Sequence, residues 1–354
     1  MVEPEFVTRL GHTKLPHMSK PRPVARTLIV LVALVVLVAL AAILSMMVGS
    51  NPISAPQVVA ALVDRASDPG SVVWGSRVPR TVLGLLVGAA LGLAGAVMQG
   101  QTRNPLADPG VLGVSAGASL AVVAGVYLFR VTSVLGTLSF ALVGALVASV
   151  VVFSVAALGR DLSSPVPLAI AGTVVSSLLV ALTSLLVLRD ETTLAAYRIW
   201  VVGSLSGRSL DGIGAAALLA AVGAVFAALN VSSLNALALG TELATGLGVN
   251  LVRARLVGLV AVTMLTASAV AITGPIGFVG LTAPHVARSM VGGNHASLLP
   301  ASALIGMVVL LLSDVLGRTA GGDGTAEVPV GVVLTVLGGI VFILIVRRVK
   351  VAAL

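Results

Sequence analysis

The chain has 354 residues, of which 58% are hydrophobic and only 10% are charged, whereas a soluble domain carries roughly a quarter charged residues. A soluble globular fold is therefore excluded, and the absence of cysteine excludes disulfides and sulfur metal sites. The formal charge of +8 comes without a basic face interleaved with aromatics, so it does not indicate nucleic-acid binding.

Ten charge-poor apolar runs predict an all-α polytopic membrane protein, because about twenty helical residues cross a bilayer. The runs lie at 28–48, 81–102, 111–129, 131–159, 162–188, 212–229, 256–273, 278–290, 298–313 and 328–346. The first run is longer than the core of a cleavable signal, so we interpret it as a retained anchor. We expect a cytoplasmic tail over residues 1–26 and one transmembrane domain over residues 27–350.

The distribution of basic residues predicts the orientation of the chain. With a cytoplasmic N-terminus and ten spans, thirteen of the 21 Lys and Arg residues lie inside and eight lie outside. Both termini are then cytoplasmic in a multi-pass protein of the plasma or inner membrane. The polar stretch 232–250, between the two apolar halves, also lies inside.

This central stretch, 232–250, is predicted to form a short helix, a turn and a second short helix, punctuated by Gly240, Gly246 and Gly248. A passive connector is the simpler interpretation. The alternative is a compact helix pair on which a soluble cytoplasmic partner docks.

Three arginines, Arg77, Arg80 and Arg318, stand at the outer ends of two predicted spans. Interfacial snorkelling would explain them individually. Together they also suggest a cationic patch that steers an acidic soluble partner.

Glycine and proline interrupt the apolar pattern once in each half of the chain. The second run places Gly84, Gly88, Gly92 and Ala96 four apart, a spacing that lets helices pack closely in lipid. The run then meets a helix-breaking segment, and the second half shows the same device, which suggests inverted repeats. The residues assigned to these breaks are Asn104, Pro105, Pro109, Gly274, Pro275, Gly277 and Pro284.

Other polar positions in the apolar runs are few. Ser163 and Ser164 precede Pro165, where they either cap a helix or line an exit. Glu327 precedes the last run, and the helix dipole favours an acid there. Paired carboxylates, metal-ligand spacing, activated nucleophiles and phosphate loops are absent from the sequence, so we expect no catalysis, no metal and no cofactor.

Five blocks in this order resemble the permease subunit of type II ABC importers for iron siderophores, haem and cobalamin. They are RVPR at 77–80, GAALGLAGAVMQGQTRNPLADPGVLGVSAGAS at 88–119, LNALALGTELATGLGV at 234–249, GPIGFVGLTAPHVAR at 274–288 and EVPVG at 327–331. The resemblance covers residues 28–346. It implies a ten-helix permease that forms a homo- or heterodimer with the substrate path along the dimer axis.

The resemblance also implies partners and roles for the residues singled out above. A dimer of cytoplasmic ATPases would bind the central stretch, through Leu237, Gly240, Glu242, Leu243, Leu247 and Gly248. An extracytoplasmic binding protein would deliver the ligand and pair with Arg77, Arg80 and Arg318. Ser163 and Ser164 would lie in the cytoplasmic gate. ATP hydrolysis belongs to the partner, so this chain is a transport subunit and not an enzyme.

The chain departs from the family pattern at Thr245, where a basic residue is usual, at 294–296, which reads Asn-His-Ala, and at Ile340. The first departure leaves the details of ATPase contact open. We expect a ferric siderophore as the substrate, with haem and cobalamin as alternatives. An ion-coupled secondary transporter is the competing function, but it would need intramembrane ionisable groups, and the apolar runs contain almost none.

Overall fold

The computed structural model describes residues 24–49, 52–158, 166–211, 213–320 and 327–348, and every regular element in these ranges is helical. The α-helices are α1 (Val24–Met47), α2 (Ala55–Val63), α3 (Asp68–Val72), α4 (Val78–Thr102), α5 (Val114–Phe129), α6 (Val134–Ala157), α7 (Val166–Val187), α8 (Glu191–Val201), α9 (Ile213–Leu229), α10 (Val231–Leu237), α11 (Thr241–Gly246), α12 (Leu251–Thr273), α13 (Val279–Val291), α14 (His295–Ala320) and α15 (Val330–Arg348). A π-helical turn, Val73–Arg77, leads into α4, and a 3₁₀ turn, Pro109–Leu112, leads into α5.

Each of the ten predicted runs overlaps one helix of at least 13 residues: α1, α4, α5, α6, α7, α9, α12, α13, α14 or α15. Within the described ranges, six helices are long and apolar enough to cross a membrane alone, and α9 with α10, bent by 51°, gives a seventh. The all-α polytopic fold is thus confirmed. Two of the predicted spans are short: α5 has 16 residues and α13 has 13, or about 24 Å and 20 Å of helix.

Helix α4 lies at the centre of the bundle, because its small residues let a neighbouring helix pack closely against it. A Cβ built on Gly88 would lie 2.5 Å from the Gly306 carbonyl oxygen, and one on Gly92 would lie 2.2 Å from that of Ser302. The backbones of α4 and α14 therefore touch at these positions. Close packing along the predicted small-residue spacing is confirmed.

The contact between α4 and α14 predicts the effect of adding a single methyl group at a glycine. Gly92→Ala should destabilise the protein by about 1–3 kcal/mol, because backbone must move to admit the Cβ. The matched control is Gly214→Ala in α9, where nothing lies within 4 Å of the added Cβ. The control should be neutral or stabilising by up to about 1 kcal/mol, since alanine favours helix. Thermal unfolding in nanodiscs measures both, and an equal response of the two variants would contradict the packing explanation.

The first predicted break lies between α4 and α5. Helix α4 ends at Thr102, and Arg103 adopts a left-handed conformation with φ of 51°. Asn104 Oδ1 then accepts from the Leu106 amide at 2.9 Å, and Asp108 Oδ1 accepts from the Gly110 amide at 2.7 Å. These turns carry the chain into the 3₁₀ turn and α5.

The second break lies between α12 and α13, at Gly274, whose φ is +77°. The prediction that Pro284 belongs to this break was wrong, because Pro284 lies inside α13. Proline leaves the carbonyl four residues earlier, that of Gly280, without its helical partner. That carbonyl faces α4, where a Cβ built on Gly95 would lie 1.8 Å from it. The proline inside α13 is tolerated where α4 has a glycine, Gly95, beside the freed carbonyl.

Candidate functional site

The central stretch forms the predicted helix pair, α10 and α11, joined at Gly240, whose φ is +111°. Leu237 and Ala244 are fully buried and pack with Ala254 of α12, which fixes the pair against the bundle. We call the end of the bundle that carries α10 and α11 the loop end.

The outer surface of the helix pair is unusually apolar for a polar stretch. Leu239, Leu243 and Leu247, four residues apart, are 58%, 61% and 67% exposed. Glu242 and Gly248 are exposed beside them. Of the predicted coupling residues, Leu243, Leu247 and Glu242 can therefore contact a partner directly, whereas Leu237 supports the fold of the pair.

Hydrogen bonds connect the helix pair to the start of α14. Asn235 Nδ2 donates to Asn294 Oδ1 at 3.0 Å, and the His295 amide donates to Asn235 Oδ1 at 2.8 Å. His295 Nδ1 also lies 2.9 Å from Asn235 Oδ1. The sequence showed Asn294 as a departure from the family pattern and His295 as a match to it, and Asn235 was missed. These bonds join α10 to the start of α14.

The three predicted docking arginines come together at the opposite end of the bundle, which we call the arginine end. Arg80 donates to Asp314 Oδ1 at 2.8 Å and to Glu327 Oε2 at 2.5 Å. Arg318 pairs with Asp314 and donates to the Ser45 carbonyl at 2.7 Å. Arg77 donates to the carbonyl of Val48, beyond the end of α1. These interactions tie α1, α4 and α14 to the segment before α15.

Burial sets this cluster apart from a simple surface patch, because Arg77, Arg80 and Arg318 are only 5%, 6% and 5% exposed. A buried ion network of this kind fixes geometry, since each charge depends on its partners for compensation. The sequence assigned Glu327 to a helix dipole, and the structure adds its contacts with Arg80 and Ser206. The docking role of the arginines stays a prediction.

Glu327 gives the cluster a pH dependence. Burial raises the pKa of Glu327, but the hydrogen bond and charge of Arg80 outweigh it and leave the pKa below its ordinary 4.5. The stabilisation is therefore fully present above about pH 4.5 and is lost as the pH falls through the lower, folded-state pKa. We expect the melting temperatures of wild type and Glu327→Gln to differ most at pH 7 and to converge below pH 4.5. A pH-independent difference between them would contradict this assignment.

The two helix breaks meet in the middle of the bundle. A Cβ built on Gly280, at the start of α13, would lie 2.8 Å from Pro109 Cδ, in the first break, and 3.4 Å from the carbonyl oxygen of Leu91. Leu91 stands near the middle of α4. Irregular backbone at this depth is tolerated where protein buries it or where it lines a cavity. The sequence predicted both breaks but not the contact between them.

A cavity of about 170 Å³ lies where the breaks meet. The first break contributes Asp108, Pro109 and Gly110, and the second contributes Pro275, Ile276 and Gly277. Asn104 and Pro105 are exposed in the turn before the cavity, and Gly274 precedes it. Ser163 and Ser164, the predicted gate residues, lie outside the described residues.

Comparison with known proteins shows that the chain matches one protein family. The profile of the FecCD transport family matches residues 35–348. The ferric enterobactin transport system permease protein FepD of Escherichia coli is 42% identical, over 86% of this chain and 91% of its own length. The Fe(3+)-citrate import system permease protein YfmD of Bacillus subtilis is 34% identical, over 94% and 98%.

Two further relatives broaden the comparison. The cobalamin import system permease protein BtuC of Halobacterium salinarum is 37% identical, over 80% of this chain and 75% of its own length. A solved structure of a metal-chelate type ABC transporter in an inward-facing conformation superimposes with a TM-score of 0.77 at 29% identity, covering 91% of this chain and all of its own.

Proposed function

The chain belongs to the FecCD transport family, and from that premise we propose that it is the membrane-spanning permease subunit of an ABC importer for a bulky ferric siderophore. The observation that carries the proposal is the match over residues 35–348, which takes in both breaks and the helix pair. Ferric citrate and cobalamin are named for relatives at 34% and 37% identity, so these chelates and haem are the alternatives.

The loop end is the proposed ATPase site. Its support is the exposed row Leu239, Leu243 and Leu247 on a helix pair that is anchored to α12 and α14. An apolar surface on a short cytoplasmic helix suits docking into a groove of a soluble partner. ATP-driven closure of two ATPases would push the pair and, through Asn235, move α14.

The arginine end is the proposed binding-protein site. Three arginines face two acids, Asp314 and Glu327, so the cluster keeps one net positive charge. That excess favours an acidic partner. Because all three arginines are buried, reversing them to Glu would also damage the fold. Arg77→Gln removes one charge without introducing an acid, and binding-protein affinity measured against salt, beside thermal unfolding of the same variant, separates docking from stability.

The proposed orientation follows from these sites: the loop end and both chain termini face the cytoplasm, within one membrane domain over residues 27–350 that pairs with a second permease chain. Residues 232–250 are the coupling loop. Helix α7 offers support for a path at the dimer axis, because Thr173, Ser177 and Ser184 share one face and are exposed. Their hydroxyls bond to carbonyls one turn back, which lets them line a polar or an apolar space.

Cellular uptake tests the substrate. Cells lacking the permease gene, with or without a plasmid copy, are given ⁵⁵Fe as a catecholate siderophore, a hydroxamate siderophore, citrate or haem, or labelled cobalamin. Plasmid-dependent uptake of one siderophore class supports the proposal. Plasmid-dependent uptake of haem, ferric citrate or cobalamin alone selects the corresponding alternative, and uptake that follows a sodium or proton gradient after ATP depletion indicates the secondary transporter.

A further inference from the structure

The cavity between the two breaks has features of an ion site that the transport function does not require. Its wall includes Asp108, Ser115 and Thr266. Thr266 is only 2% exposed, and its Oγ1 finds no hydrogen-bond partner among the described residues. A buried hydroxyl without a hydrogen-bond partner costs roughly 1–3 kcal/mol of folding free energy. An atom in this cavity that bonded to the hydroxyl would therefore stabilise the folded protein.

Asp108 is a half-buried carboxylate whose situation differs from that of Asp314. Asp314 is paired with Arg80 and Arg318, whereas no Lys or Arg of the described ranges forms an ion pair with Asp108. The amide of Gly110 engages Oδ1 and orients the group, which leaves Oδ2 for a second interaction. A carboxylate that is partly withdrawn from water in this way needs a counter-charge, or it must be neutral.

The partial charges of the helix ends around the cavity do not reverse the negative sign of its net charge. Ser115 and Gly280 stand at the positive starts of α5 and α13, and Val270 stands near the negative end of α12. Each end is worth about half a charge, so the three sum to about half a positive charge. Against the full negative charge of Asp108, the site stays negative and attracts a cation.

The size and the ligands select the kind of cation. A single carboxylate with neutral oxygens suits a monovalent ion, since divalent sites of all-protein ligands usually gather several carboxylates. Among the described residues, no three His, Cys, Asp or Glu side chains come together as such a site would need. A cavity of about 170 Å³ holds a cation with a few waters, at roughly 30 Å³ for each water.

We propose that this cavity binds a monovalent metal cation, Na⁺ or K⁺, through the carboxylate of Asp108 and the hydroxyl of Thr266, and that the ion holds the first helix break against α12. The cation is a structural ligand of the joint between the two halves, and binding stabilises the conformation in which Pro109 touches Gly280. The inference uses only this chain and stands independently of the substrate.

Thermal unfolding of the purified chain in nanodiscs tests this proposal. Melting is followed in NaCl, KCl or N-methyl-D-glucamine chloride, at fixed pH and ionic strength. The melting temperature should rise with Na⁺ or K⁺ in a saturable way, as expected for a ligand that binds only the folded state. Asp108→Asn should abolish the rise.

Thr266→Val, which keeps the shape of the side chain, should weaken the apparent cation affinity about tenfold. The matched control is Thr263→Val, a buried threonine on the same helix that does not line the cavity, and it should respond as wild type does. Binding of ²²Na⁺ or ⁸⁶Rb⁺ to the wild-type chain gives a direct measurement that needs no variant.

Three results would overturn the proposal. They are identical melting in all three salts with no tracer binding, a cation response that survives in both Asp108→Asn and Thr266→Val, and a response to pH that is the same in every salt. The last result would mean that Asp108 is a neutral carboxylic acid.

Discussion

Replacing Leu243 and Leu247 together by Asp should reduce association of the permease with its ATPase by about 10²–10³-fold, since exposed apolar anchors at an interface contribute about 2 kcal/mol each. Both leucines are more than 60% exposed, so the substitutions leave the packing of α10 and α11 intact. Co-purification from detergent and ATPase stimulation measure the effect. Glu242→Arg alone should weaken association less, because it changes one exposed charge.

The control for this experiment is Leu158→Asp, which changes an even more exposed leucine, 85% exposed at the end of α6, outside the helix pair. It should bind the ATPase as wild type does. Deleting the helix pair would be less informative, because it also removes Leu237 and Ala244 from the packed core. Normal ATPase binding by the double-leucine variant would show that the helix pair is only a connector.

Asp314→Asn should destabilise the chain by about 3–5 kcal/mol, the second large effect that we expect. Asp314 is 1% exposed and is shared by Arg80 and Arg318, so neutralising it leaves two buried guanidinium groups short of compensation. Thermal unfolding in nanodiscs measures the loss. The expected accompanying change is release of the end of α1, because Arg318 would lose the partner that positions it against Ser45.

An exposed ion pair provides the comparison. Arg130 is 67% exposed and lies 3.4 Å from Asp190, so Arg130→Gln should cost at most about 1 kcal/mol. The difference between the two variants in the free energy of unfolding measures the effect of burying the ion pair. If Asp314→Asn cost no more than Arg130→Gln, the cluster at the arginine end would not be holding α1, α4 and α14 together.

Local patterns in the sequence were sufficient for the helices and for the small-residue contact. Apolar runs of bilayer length predict α1, α6 and α12 without further information, and four-residue spacing predicts the face of α4 that meets α14. These features depend on residues close in sequence. Pro284 shows the limit of local rules, because a proline inside a helix is tolerated when a neighbouring helix, here α4 at Gly95, accommodates the altered backbone.

The features that were missed depend on residues distant in sequence. Outward arginines at span ends suggested exposure, but Arg80 is buried because Asp314 and Glu327, more than 230 residues away, reach it. The cavity between Asp108 and Pro275 could not be predicted for the same reason. The inverted-repeat relation between the halves stays a prediction, and the equivalent position of the two breaks is what supports it.

The central claim is that ATPase action at the loop end drives transport through this chain, and reconstituted uptake tests it most directly. Proteoliposomes containing the permease, its ATPase and its binding protein are given a ⁵⁵Fe siderophore outside and ATP inside. Uptake should require ATP and should be lost with the Leu243→Asp, Leu247→Asp permease but kept with Leu158→Asp. Uptake that proceeds without ATP and follows a sodium or proton gradient would contradict the claim.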